Sequence, residues 1–86
     1  MPNQIWKFEL QLTNEQEIRM PADAEILSVD FQRGSICIWA IVNPAEQLES
    51  RRFVIIGTGY PIPDKILTYL TTVQQDSYVW HIFEEK

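Results

Sequence analysis

Few residues in this chain have the types and spacing that chemistry requires. The most conspicuous are Gly57, Thr58, Gly59 and Tyr60, which follow an apolar run and precede two prolines. Backbone N–H groups at a Gly-x-Gly bend can line a small anion-binding nest, and a tyrosine beside it can stack on a ring. A Walker loop would need a Gly-Lys-Ser/Thr and then a helix, and a dinucleotide fingerprint needs a third glycine and a helix. Neither follows, because a residue before proline is pushed to extended geometry. The simpler reading is a strand that ends hard, with glycines that bend it and Pro61 and Pro63 that stiffen the exit. Arg51 and Arg52 would be natural anion partners, yet they sit at the far end of the same strand, roughly 20 Å away at the usual rise.

The remaining reactive side chains offer less. His81 stands between Trp80 and Ile82 and reads as a half-buried histidine with its ring bonded inside the fold. Cys37 lies within an apolar strand with no sequence neighbour to lower its pKa, so an inert thiol is expected. One cysteine forms no intramolecular disulfide, and one Cys plus one His is too small a set for structural zinc. The carboxylates Glu15, Glu17, Asp23, Glu25, Glu46 and Glu49 sit in turns and at strand ends, without spacing that demands acid–base work or metal binding. A non-enzymatic protein with no cofactor is the expectation.

The elements that would hold these residues are strands. In Ile5–Leu12, Trp6, Phe8, Leu10 and Leu12 share one face, and Lys7, Glu9 and Gln11 the other. Residues 13–16 turn the chain, and 17–20 return as a short strand. In 25–32, Leu27, Val29 and Phe31 share a face, and Arg33-Gly34 reads as a two-residue hairpin loop. That register sets Phe31 against Ile36, Val29 against Ile38 and Leu27 against Ala40. It leaves Ile26, Ser28 and Asp30 opposite Ile41, Trp39 and Cys37. Residues 43–50 form either a helical turn capped by Asn43 or an irregular connection. Residues 51–58 are apolar on both faces and so central. A final hairpin spans 67–73 and 78–84, with Tyr69, Val73, Tyr78, Trp80 and Ile82 on one face and Leu70, Val79 and Phe83 on the other. Six or seven short antiparallel strands give an all-β fold class, a small β-sandwich or barrel-like sheet in a single domain over residues 1–86. Trp6, Phe8, Val29, Ile38, Ile55 and Ile56 are expected to be largely buried.

Size and charge narrow the partners. With 86 residues there is room for one core, and a net charge of −5 argues against direct nucleic acid binding, whose affinity comes mainly from neutralised phosphates. No run nears the ~20 apolar residues of a membrane span, and the opening MPNQIWKF lacks a signal peptide's basic flank, so no membrane association and a cytoplasmic location are expected. Both hairpins carry apolar residues on two faces, more than one small core covers. Either a second layer of the domain or another subunit covers the excess, and a homodimer is the expectation. Ile26, Trp39, Ile41 and Trp80 are the candidate interaction surface, and Gly57–Tyr60 the candidate ligand site.

The segments IWKFEL, IRMPADAEILSV followed by ICIWAIV, and RFVIIGTGYPI also carry a resemblance. In order and spacing, from about Ile5 to Phe83, the chain resembles an uncharacterised family of small phage and prophage proteins. Members often have histidine after Gly-Thr-Gly, where this chain has Tyr60. The resemblance implies a small viral accessory protein inside a bacterial host, and it supplies no catalytic or binding residues. Two functions fit: an interaction or inhibitor protein acting on a host protein, or a protein that sequesters a small anionic ligand such as a nucleotide.

Overall fold

The structure is a computed structural model that describes residues 3–86. Seven strands make two antiparallel sheets: β1 (Gln4–Leu10), β2 (Glu15–Pro21), β3 (Glu25–Gln32), β4 (Ser35–Val42), β5 (Leu48–Gly57), β6 (Leu67–Gln75) and β7 (Tyr78–Glu85). One sheet has the order β1-β4-β3 and the other β2-β5-β7-β6. No helix occurs among the described residues, and the all-β sandwich expected from the alternation is what the chain forms.

Two hairpins seed the sheets. Arg33 and Gly34 both take positive φ, 54° and 84°, as the two central residues of a type I′ turn do. The turn sets Phe31 opposite Ile36 and Val29 opposite Ile38, as the sequence indicates. Beyond Val29 the register breaks. Leu27 is an extra residue in a β-bulge, so Ile26, not Leu27, stands opposite Ala40. Ile26 therefore packs against the core and Leu27 turns outward, because one inserted residue reverses a period of two. The second hairpin repeats the device. A register shift at Leu70 places Tyr69 beside Phe83 on the outer face and lets Leu70 pack inward. The expectation that Tyr69 shares a face with Val73 and Ile82 is corrected by that bulge.

Between the sheets lie Leu10, Met20, Ile38, Phe53, Val73 and Ile82, none more than 5% exposed. Trp6 and Phe8 face the same way but are only half-buried, because β1 is an edge strand with one neighbour. Residues 43–47 are a turn, closed by Ala45 N–H donating to Asn43 Oδ1 (3.1 Å) and Glu46 N–H to the Asn43 carbonyl (3.0 Å). The turn is short enough that β5 begins at Leu48, three residues before the expected start.

β5 is central, between β2 and β7, and from Phe53 to Gly57 it is buried on both faces. Its inward residues, Phe53 and Ile55, join the core. Its outward residues, Val54 and Ile56, are nonetheless only 2% and 8% exposed. They are covered by the connection from β5 to β6, residues 58–66, which crosses the outer face as a strap. Lys65 fixes the strap there by pairing with Glu15 and, at 3.5 Å, with Glu85, both outward residues of this sheet. At the far end of β5, Arg51 holds the two layers together. Its Nε and Nη2 donate to Glu84 (2.6 and 2.8 Å), and its Nη1 donates to the Ala24 carbonyl (2.6 Å) at the entrance to β3.

Candidate functional site

The site grows from the end of β5. Along a strand, successive N–H groups point to opposite neighbours. Ile55 N–H reaches the Asn14 carbonyl on the β2 side (3.0 Å), and Thr58 N–H reaches the Val79 carbonyl on the β7 side (3.2 Å). Gly57 N–H therefore faces the β2 side, at a level β2 does not reach, since its first residue, Glu15, stands opposite Val54. A turn follows, closed by Tyr60 N–H donating to the Gly57 carbonyl (3.1 Å), with Gly59 at φ 94°. The strand does stop hard, and the two glycines have different reasons to be there. Gly59 supplies the left-handed φ in open space. Gly57 supplies room: a Cβ there would stand 3.0 Å from Tyr60 Cδ2 and 3.1 Å from Trp80 Cζ3.

The same turn is tied sideways. Thr58 Oγ1 lies 2.8 Å from His81 Nε2, His81 Nδ1 lies 2.9 Å from Thr72 Oγ1, and Thr72 Oγ1 lies 2.7 Å from the Tyr69 hydroxyl. Both ring nitrogens of His81 are thus engaged. The histidine anchors the glycine turn to β6.

Of the four candidate ligand residues, Thr58 and Tyr60 already spend their backbone N–H groups inside the fold. The cations of β5 and of the strap are also engaged. Arg51 is held by Glu84, whose hydrogen bond raises the guanidinium pKa further. Arg52 is held by Glu15, Glu85 and Glu17 at 3.0, 2.8 and 3.2 Å. Lys65 is held by Glu15, which raises its pKa, and the same bond keeps the Glu15 carboxyl below the ordinary carboxylate range.

An open groove of about 600 Å³ occupies this end of the sandwich. Leu12, Thr13, Asn14 and Glu15 make one wall, Tyr60 to Pro63 the other, and β5 from Val54 to Gly57 with Trp80 the floor. Its rim is apolar and wet: Leu12 is 56% exposed, and Tyr60 and Ile62 are 70% exposed. Trp80 is half-buried and stacks on Tyr78, with centroids 5.7 Å apart and planes 13° apart. Its Nε1 is buried without a partner among the described residues, on the indole edge away from the Cζ3 that meets Gly57.

The four residues expected to share an interaction surface are separated. Trp39 and Ile41 are half-buried on the outer face of the β1-β4-β3 sheet, Ile26 packs into the core, and Trp80 lines the groove. Cys37 lies 1% exposed on that same outer face, where Lys7 Nζ bridges to Gln32 Oε1 (2.8 Å) across β4. Among the described residues no group of three His, Cys, Asp or Glu stands ready for a metal ion, and no helix is long and apolar enough to cross a membrane.

Sequence reasoning named Gly57 and Tyr60 for this place, assigned Trp80 to a separate interaction surface, and missed Leu12, Ile62 and Glu15 as parts of one site. Ile62, an isoleucine between two prolines after a strand has ended, was the available signal. Leu12 continues the alternation of β1 and gave none.

A family model described as a domain of unknown function, DUF7352, matches residues 1–86 of the chain. No curated protein and no solved structure matches it.

Proposed function

We propose that this chain, which belongs to the DUF7352 family, is a small non-enzymatic accessory protein of phage type that binds a protein of its bacterial host. The observation that carries the reading is the apolar groove, whose rim residues Leu12, Tyr60 and Ile62 stay exposed together around one concavity, while the other exposed large hydrophobics, Ile5, Leu27, Leu48, Ile66, Tyr69 and Tyr78, lie outside it. Exposed aromatic and aliphatic anchors around a concave floor are the usual makings of a protein-binding patch. The phage reading rests on the order and spacing of IWKFEL, AEILSV and GTGYPI, and it favours the host cytoplasm as the site of action. In that compartment a binder of this size acts by occupying a surface its target needs. The acidic charge of −5 suits a basic target and keeps the protein off nucleic acid. Self-association, if it accompanies this role, uses the separate outer face bearing Ile5, Trp39 and Ile41.

Affinity purification from bacterial lysate tests the reading, comparing the parent with Tyr60→Ala and with Ile62→Asp. A host protein recovered by the parent and lost from both variants is the expected result. A partner retained by both variants and lost from Trp39→Ala would move the function to the other sheet.

A further inference from the structure

We infer that the groove takes an extended peptide segment in which an apolar side chain adjoins a lysine or arginine, the cation meeting the Glu15 carboxylate, whose Oε1 Lys65 and Arg52 now hold. The inference rests on the groove being the docking site proposed above.

The lining determines the chemistry. Among the described residues, Glu15 is the one charged side chain in the wall, and the rest is apolar or neutral. An apolar side chain seated between Leu12, Tyr60, Ile62 and the half-buried Trp80 removes exposed apolar surface from water. A cation placed at the wall forms a charge-assisted bond to Glu15, and arginine can do so through two parallel N–H donors where Lys65 presents a single ammonium. An anionic ligand meets no free cation there. A second copy of this chain also carries −5, so like charge opposes it as the occupant. The floor adds a backbone contact. Gly57 N–H faces the side at a level β2 does not reach, and it has no backbone partner among the described residues. An extended segment supplies the missing carbonyl acceptor, as in strand-type peptide recognition. At about 600 Å³ the groove lies within the range of sites that hold several groups of a ligand together.

Lys65 is then an internal competitor. It shares Glu15 Oε1 with Arg52 in the free protein, and a bound arginine competes with it for the carboxylate. This gives two substitutions of opposite sign.

The test is a synthetic peptide array in which Leu, Phe or Ser at one position is combined with Arg, Gln or Glu at the next, read by fluorescence polarisation. For the parent, Leu-Arg and Phe-Arg peptides should bind about tenfold more tightly than Leu-Glu or Ser-Arg peptides, the scale of one charge-assisted bond. Glu15→Gln should erase the preference for Arg over Gln and keep the apolar one. Lys65→Gln should tighten the Arg peptides several-fold. Parent binding that ignores charge, or weakening by Lys65→Gln, overturns the cationic occupant. If such charge-blind binding is still lost in Tyr60→Ala, the groove stands and only this inference falls. Binding untouched by Tyr60→Ala, or no peptide binding at all, overturns the groove with it.

Discussion

Substituting the two glycines of the strand end by alanine separates crowding from backbone conformation. At Gly59 an alanine meets nothing within 4 Å, so the cost is that of φ 94° for an L-residue, ~1–2 kcal/mol. Against it stands the lower entropy of the unfolded chain, ~0.4–1 kcal/mol, which leaves a net loss of about 1 kcal/mol. At Gly57 the backbone is ordinary and the entropy term favours alanine, but the new Cβ meets Tyr60 at 3.0 and 3.2 Å and Trp80 at 3.1 Å. Trp80 is wedged against Tyr78 and the core, whereas Tyr60 is 70% exposed and free to move, so Tyr60 yields. Overpacking of this kind costs ~1–3 kcal/mol; the exposed ring keeps it near the low end, and the entropy gain brings the net loss to about 1 kcal/mol or less. Both variants should thus melt a few degrees below the parent, since ~1 kcal/mol shifts a domain of this size by roughly 4–8 °C. Only Gly57→Ala should also change the near-ultraviolet circular dichroism of the Tyr60–Trp80 pair. Urea titrations and near-ultraviolet spectra on all three proteins decide it. A Gly57→Ala protein with the parent's aromatic spectrum and an equal or higher midpoint would refute the packing argument.

Other substitutions probe the frame. Phe53→Ala, at a fully buried side chain on the central strand, should cost ~3–5 kcal/mol and leave little folded protein at 37 °C, measured by urea titration. Arg51→Ala strips the partner from Glu84 and the donor from the Ala24 carbonyl, and should cost about 2–3 kcal/mol by the same assay. The strap clasp gives a pH and salt signature. Glu15 is depressed by its bond to Lys65, so its stabilisation is intact above the ordinary carboxylate range and is lost as pH falls through its folded value. Lys65 is raised, so its share is present at neutral pH and is lost only as pH climbs through its own folded value. The melting difference between the parent and Lys65→Gln should therefore be greatest near neutral pH in low salt. It should shrink in acid and at about 1 M salt, where screening acts within ~3 Å.

The hairpin of β3 and β4 was legible because its signal is local. Arg33-Gly34 dictates the turn, the turn dictates the register, and the register sets Phe31 and Val29 on their partners. The central place of β5 was legible from apolar residues on both faces. The bulges at Leu27 and Leu70 were not, since nothing in EILSVDF or LTYLTTV distinguishes an extra residue from one more step of alternation. Each reverses a few side chains, which is why Ile26 and Tyr69 were assigned to the wrong faces. The groove was least legible. Its walls come from segments some fifty residues apart, Leu12–Glu15 and Tyr60–Pro63, and they meet only because the strap folds back over Val54 and Ile56.

The central claim is that the Leu12–Tyr60–Ile62 groove docks a host protein. Site-specific photocrosslinking in living bacteria tests it most directly, with a benzoylphenylalanine at position 62 in one protein and at position 41, on the opposite sheet, in another. The account predicts one discrete protein adduct from position 62, abolished by adding Tyr60→Ala, and none of that mass from position 41. An adduct to a host protein from position 41 alone, or none from position 62 while the protein is folded and abundant, would contradict it.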